Sequence, residues 1–217
     1  FALSRCGSAK SLPVLTKAAR EANYSLDRKS GNEAYIFLLN KLAEGGEKKI
    51  TNKAASDLYK NALKENQVAT RIAALQILLK TDDKNRAKLI VKALDDPERE
   101  YRNAALLYAE EYKDADLSRA IAGKLKKADA ETQMDIINWL GKNRIAASLE
   151  EIIPYVKSTD SEVSRSAIIA VARIGGDEAI ACLAGLVASG EKNQLENAAY
   201  VLKSMEGDIA TPLMNLF

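Results

Sequence analysis

The sequence predicts an all-α chain, a right-handed α-α superhelix of about six stacked helical hairpins. The first observation behind this is a repeat of 31 positions. Stepping by 31 from Leu75 gives Leu106, Ile137, Ile168 and Ala199, and stepping from Leu78 gives Ala109, Leu140, Val171 and Leu202. Two further columns read Ile90, Ile121, Ile152, Leu183, Met214 and Leu94, Leu125, Val156, Val187. Every member is apolar although 29% of the chain is charged. The second observation is the spacing inside each segment. Apolar residues recur at i, i+3, i+4 and i+7, which places them on one face of a helix. The third is punctuation: the clearest unit, Asp160 to Gly190, opens on an aspartate and is divided by Gly175-Gly176. A single hairpin cannot bury its apolar face, whereas stacked hairpins bury a continuous core.

The elements follow in order. Phe1 to Gly7 aligns with Ile169 to Gly175, so the chain is expected to enter inside the first helix of a unit and to be a piece of a longer solenoid. Ser8 to Asn23 is the partner helix, with Pro13 early in it, where the first turn tolerates proline. Tyr24 to Asn32 reads as a polar loop. Glu33 to Glu44 is a helix closed by Gly45-Gly46. Glu47 to Thr51 is an insertion, and Asn52 to Lys64 the partner helix. Leu39 to Leu75 is 36 positions, so residues 1–65 are irregular and residues 66–217 regular within one solenoid over 1–217. From there Val68 to Lys80 pairs with Asn85 to Leu94, and Glu98 to Tyr112 with Leu117 to Lys127. Glu131 to Lys142 pairs with Ala147 to Lys157, a helix that Pro154 should interrupt. Ser161 to Ile174 pairs with Asp177 to Ala188, and Lys192 to Met205 with Asp208 to Phe217.

Val163, Ala167, Ala170, Val171, Ile174, Gly175, Ala179, Ile180 and Leu183 together resemble the HEAT-repeat family in its short, phycobilisome-lyase-type form. The resemblance is close from Asn66 to Phe217 and looser before. The family's arginine falls on Arg71 and Arg102 but is replaced at Gln133, Ser164 and Leu195, which interrupts any ladder of Asp–Arg pairs. The resemblance implies a non-catalytic scaffold whose concave face recognises a protein or peptide; an accessory module of a larger bacterial protein is one form of that role. It also brings two rivals, a nucleic-acid-binding module like the HEAT-like DNA glycosylases and a bilin-lyase-like activity.

Composition narrows these. The balance of 32 basic and 30 acidic residues, net +2, argues against a dedicated polyanion surface. The chain has no histidine, which removes Ser-His-Asp and Cys-His catalysis and every His-ligated metal site. No cofactor or metal is expected. Cys6 and Cys182 lie in different repeats and read as two small buried hydrophobes rather than a disulfide. No apolar run reaches the roughly 18 residues of a membrane span. Compartment stays open: cytoplasmic, or periplasmic if a leader was removed. The apolar ends, Phe1-Ala2-Leu3 and Leu213, Met214, Leu216, Phe217, suggest contact with another domain or chain.

The carboxylate pairs Asp82/Asp83, Asp95/Asp96, Glu110/Glu111 and Glu150/Glu151 fall at turns or on faces expected to be solvated. Lys124, Lys126 and Lys127 suit a helix C-terminus. Tyr108 and Trp139 occupy equivalent positions in successive repeats, as packing or as an aromatic shelf. A nucleic-acid reading would use Trp139, Lys142, Arg165 and Arg173. Two columns four apart remain for a binding face: Ile72, Asn103, Met134, Arg165, Glu196 and Gln76, Leu107, Asn138, Ile169, Tyr200. They hold apolar, amide, aromatic and arginine side chains rather than the Lys and Glu of a solvated face. Met134, Asn138, Arg165, Ile169 and Tyr200, with Trp139 at the margin, are the expected partner-binding groove, and no catalytic residue is expected.

Overall fold

The structure, a computed structural model, describes residues 2–26, 31–189, 194, 196–198 and 201. Among them there are helices and no strand. The α-helices run in six successive pairs: α1 (Ala2–Cys6) and α2 (Leu12–Glu21), α3 (Gly31–Glu44) and α4 (Lys48–Lys64), α5 (Val68–Thr81) and α6 (Arg86–Ala93), α7 (Arg99–Tyr112) and α8 (Ala115–Ala122), α9 (Ala130–Lys142) and α10 (Leu149–Ile152), α11 (Ser161–Ile174) and α12 (Asp177–Ser189). Short 3₁₀ segments extend the second helices at Leu125–Lys127 and Ile153–Lys157. The expected helices Lys192 to Met205 and Asp208 to Phe217 lie outside the described residues, as do Ala199, Leu202 and Met214 of the columns. The chain divides within α7 into two compact units, Phe1–Tyr108 and Ala109–Phe217.

The 31-residue columns form the core of each unit. In unit 1, Leu75, Leu78, Ile90, Leu94 and Leu106 are all buried. In unit 2, Ile121, Ile137, Leu140, Ile152, Ile168, Val171 and Leu183 have no exposed surface. Val187 is half-buried. Fully burying a side chain of this kind stabilises the fold by about 1.5–3 kcal/mol, so an uninterrupted column is enough to fix which face of each helix turns inward.

Helix starts follow the aspartates. The Asp114 carboxylate accepts from the Leu117 N–H at 2.8 Å and that of Asp129 from the Thr132 N–H at 2.8 Å. Asp160 accepts from the N–H groups of Glu162 and Val163 at 3.0 and 3.1 Å. Each satisfies donors that the first helical turn leaves without an intrahelical partner. At the other end of α11, Gly175 and Gly176 take φ of 74° and 90°, left-handed backbone that suits glycine. Pro154 breaks the second helix of its pair as expected: α10 stops at Ile152 and a 3₁₀ segment carries on.

Three expectations are corrected. The partner helix expected from Asn52 already begins at Lys48, so the insertion Glu47 to Thr51 is itself largely helical. No glycine or proline follows Gly46, so the extra residues lengthen the helix to 17 residues. Tyr24 to Asn32 is not simply a polar loop either. Tyr24 is buried and Asn32 has no exposed surface. The Asn32 amide donates to the Tyr24 carbonyl at 2.8 Å and to Thr70 Oγ1 at 2.8 Å, and the Thr70 hydroxyl donates to the same carbonyl at 2.6 Å. The turn is thus tied to α5, a long-range contact that turn chemistry does not reveal. Third, Cys6 is exposed and Cys182 half-buried; both are free thiols. The exposure of Cys6 follows from α1, in which only Ser4 is buried.

α9 packs along α11, and Gly141 sets their approach. A Cβ added at Gly141 would lie 2.7 Å from both the Cα and the Cβ of Ala170. In α12, a Cβ at Gly185 would meet nothing within 4 Å. Alanine gains about 1 kcal/mol over glycine inside a helix, whereas overpacking costs about 1–3 kcal/mol. Gly141→Ala should therefore lower the urea midpoint, because a backbone contact cannot yield, and Gly185→Ala should raise it. Both shifts are read from equilibrium unfolding followed by helical circular dichroism.

Candidate functional site

The sequence-predicted groove residues lie in unit 2. Met134 and Asn138 are one turn apart on α9, and Arg165 and Ile169 one turn apart on α11. Asn138 and Arg165 are exposed, and Met134 and Ile169 are half-buried. Since α9 and α11 pack side by side, these two rows belong to neighbouring helices. Tyr200 lies outside the described residues. Trp139 is 5% exposed and its indole N–H is buried without a hydrogen-bond partner. The indole is a core group, which is the packing alternative for its column and removes the aromatic that a base-stacking surface would need. In the same columns of unit 1, Leu107 is 59% exposed and Asn103 is also exposed.

A second constellation, in unit 1, was only half visible in the sequence. Arg71 is 2% exposed and pairs with Asp96. Its guanidinium carbon stands 4.4 Å from the Tyr101 ring centre and 5.5 Å from that of Tyr59. The two rings are 6.0 Å apart and tilted by 44°. The arginine is therefore clasped by two aromatic faces, a geometry that favours a desolvated cation. Burial works against its charge, but hydrogen bonds to Asp96 and Tyr59 outweigh that and raise its pKa. Tyr101 is pushed well above the ordinary phenol value, by burial first and then by its neighbour Tyr59. Asp96 also accepts from the Glu98 N–H at 3.0 Å ahead of α7. Asp96 is thus not the solvated turn carboxylate that its pairing with Asp95 suggested. The clue lay in register: Arg71 precedes Ala74, Leu75 and Leu78 by three, four and seven positions, on the apolar face, and a charge there requires a partner.

Three members of the family-arginine column share a job. Arg102 Nη1 donates to the carbonyls of Asp96 and Pro97 at 2.9 and 3.0 Å. Gln133 Nε2 donates to the Leu125 carbonyl at 3.1 Å, and Ser164 Oγ to the Val156 carbonyl at 2.7 Å. Leu125 and Val156 are themselves 31 apart. The Asp–Arg ladder is discontinuous: Arg71 is engaged with Asp96, whereas Arg102, Gln133 and Ser164 cap carbonyls at or just beyond the end of the preceding helix.

No poised nucleophile is found among the described residues. The Cys182 thiol is raised in pKa, chiefly by burial, with Lys157 lowering it and Glu178 raising it. No group of three His, Cys, Asp or Glu among the described residues could hold a metal ion, and none of the described helices is long and apolar enough to cross a membrane.

Comparison with known proteins gives the HEAT repeats family, whose model matches residues 118–203. The chain is also similar to the crystal structure of an engineered protein from a structural genomics consortium: 20% identical, covering 99% of this chain and 66% of that one, with a TM-score of 0.45. This chain thus spans 66% of the length of that protein. No curated protein matches it.

Breaking a buried ion pair from one side costs about 3–5 kcal/mol because the other charge is stranded. Arg71→Ala should show a loss of that order in chemical denaturation, and Arg71→Met with Asp96→Asn should recover most of it. A phenol held above the usual pKa of 10.0 keeps its proton in the folded chain after the unfolded chain has released its own. Its contribution is therefore complete below about pH 10 and lost as pH rises further. Tyr101→Phe should flatten the alkaline limb of a stability–pH curve and leave the neutral slope unchanged.

Proposed function

We propose that this HEAT-repeat chain is a non-catalytic binding module, and that a protein or peptide partner docks across Met134 and Asn138 of α9 and Arg165 and Ile169 of α11. HEAT repeats are commonly protein-interaction scaffolds. The observation that carries the assignment is the chemistry left on this surface after the core columns are filled. Asn138 and Arg165 are open to solvent, and Met134 and Ile169 keep part of their surface exposed between them. Interface cores favour Met, Arg and aliphatic surface over Lys and Glu. Tyr200, from the same sequence column as Asn138 and Ile169, lies outside the described residues.

A binding role agrees with where the chain places its polar chemistry. Arg71, Arg102, Gln133 and Ser164 are committed to holding helix ends and an ion pair. The nucleic-acid alternative draws less support, because Trp139 is in the core and the net charge is only +2.

The test compares captured partners across variants. Arg165→Glu with Asn138→Lys, both at exposed positions, should reduce recovery of a wild-type partner at least tenfold. Lys126→Glu, on an exposed residue after α8, should leave recovery unchanged. Unfolding free energies of both variants should stay within about 1 kcal/mol of wild type, the scale of surface substitutions. Equal recovery by the double variant would remove the assignment.

A further inference from the structure

Unit 1 contains a cavity of ≈ 570 Å³ that shares no residue with the α9–α11 face. Its volume falls within the roughly 300–1,000 Å³ of small-molecule sites. Leu75 and Leu78 of α5 and Leu89 and Ala93 of α6 give it an aliphatic lining. Tyr59 and Tyr101 supply an aromatic side. Those two rings clasp Arg71, which in turn pairs with Asp96, a further lining residue. The aromatic side is thus fixed by a buried ion pair, and preorganised walls of this kind lower the cost of binding.

The charges on the lining decide the ligand class. Lys60 of α4 and Lys92 of α6 both line the cavity. Lys60 has an exposed contact with Asp57 at 3.9 Å, an arrangement worth little in water. Lys92 is exposed and has no ion-pair partner among the described residues. Asp95 and Asp96 are the acidic lining groups, and Asp96 is already neutralised by Arg71. Arg71 is buried behind the lining and offsets Asp96 there, so Lys60 and Lys92 stand against Asp95 alone at the edge of an apolar interior.

We propose that this cavity binds a small amphiphilic anion, with its apolar chain against Leu75, Leu78 and Leu89 and its carboxylate at Lys92 and Lys60. Such a ligand matches the site's two chemistries at once. A purely apolar ligand would leave the lysines unused, and a cationic one would oppose them. The site is separate from the partner face on α9 and α11.

Isothermal titration of the full chain with decanoate, kept below its micelle concentration, tests this. A single saturable site is expected. Butyrate, which lacks the chain, and decyltrimethylammonium, which reverses the charge, should each bind at least tenfold more weakly. Lys92→Glu, at an exposed position, should weaken decanoate at least tenfold. Ser56→Phe, which pushes a ring into the cavity from α4, should abolish binding while the helical circular dichroism and unfolding midpoint show a folded chain. Arg165→Glu should leave decanoate affinity unchanged, so failure here is distinguishable from failure of the partner face. Absence of saturable binding, equal affinity for the cationic amphiphile, or unchanged affinity in Lys92→Glu or in a folded Ser56→Phe would each overturn the proposal.

Discussion

Three successive repeats satisfy carbonyls at the end of the preceding second helix with one column of side chains, Arg102, Gln133 and Ser164. The last turn of a helix leaves carbonyls without intrahelical donors, and here those ends pack against the next first helix, as the 3₁₀ segment after α10 does against α11. Water cannot reach all of them, and an unpaired buried polar group costs about 1–3 kcal/mol. Arg102, Gln133 and Ser164 reach back to these carbonyls from equivalent positions in successive repeats. The shortening side chain is instructive. Serine suffices where its carbonyl lies 2.7 Å away, while arginine reaches two carbonyls beyond the end of α6. The apolar columns supply most of the burial, but they would pack similarly after small slides along the helix axis. A donor aimed at one carbonyl does not tolerate such a slide, so the polar column sets the register within which the apolar columns interlock.

This division of labour explains what the sequence could reveal. Apolar columns are periodic and local in effect, so every residue that stepping along them by 31 picks out from Leu75 to Leu183 is buried. The Asp160 cap and the Gly175-Gly176 turn act within three or four residues and were equally legible. Contacts that join residues far apart in sequence were not. Asn32 meets Thr70 across 38 positions and Arg71 meets Asp96 across 25. Neither separation is a multiple of the repeat, so no column contains both partners. Turn residues therefore read as loop, and Asp96 read as a solvated carboxylate. The register of Arg71 on an apolar face showed that a partner must exist without showing which.

The candidate sites differ in legibility for the same reason. Met134, Asn138, Arg165 and Ile169 were found by subtraction, as positions off the core columns yet on the same helices. Subtraction rests on helical phase, which separates positions turned to the core columns from the rest. It fails for Trp139, whose column sits at the edge of the core, where a small change in packing decides between shelf and interior; the indole ends inside. It fails entirely for the unit 1 cavity. That space exists because residues of α4, α5, α6 and the segment before α7 leave it between them, and a void between four elements has no period.

Finally, the perturbed titratable groups bear on what kind of work the chain performs. Catalytic acids and bases are tuned toward neutrality so that they can exchange protons near pH 7. Here the displacements run the other way. Burial raises the phenols of Tyr35, Tyr101 and Tyr155 and the thiol of Cys182, and hydrogen bonds to Asp96 and Tyr59 raise Arg71 against its burial. Asp83, hydrogen-bonded and paired to Lys48, is lowered. Each group is held more firmly in the protonation state it already has at neutral pH. Such groups serve as fixed donors, acceptors and charges. Fixed polar groups of that kind suit a surface that recognises a partner by shape and charge.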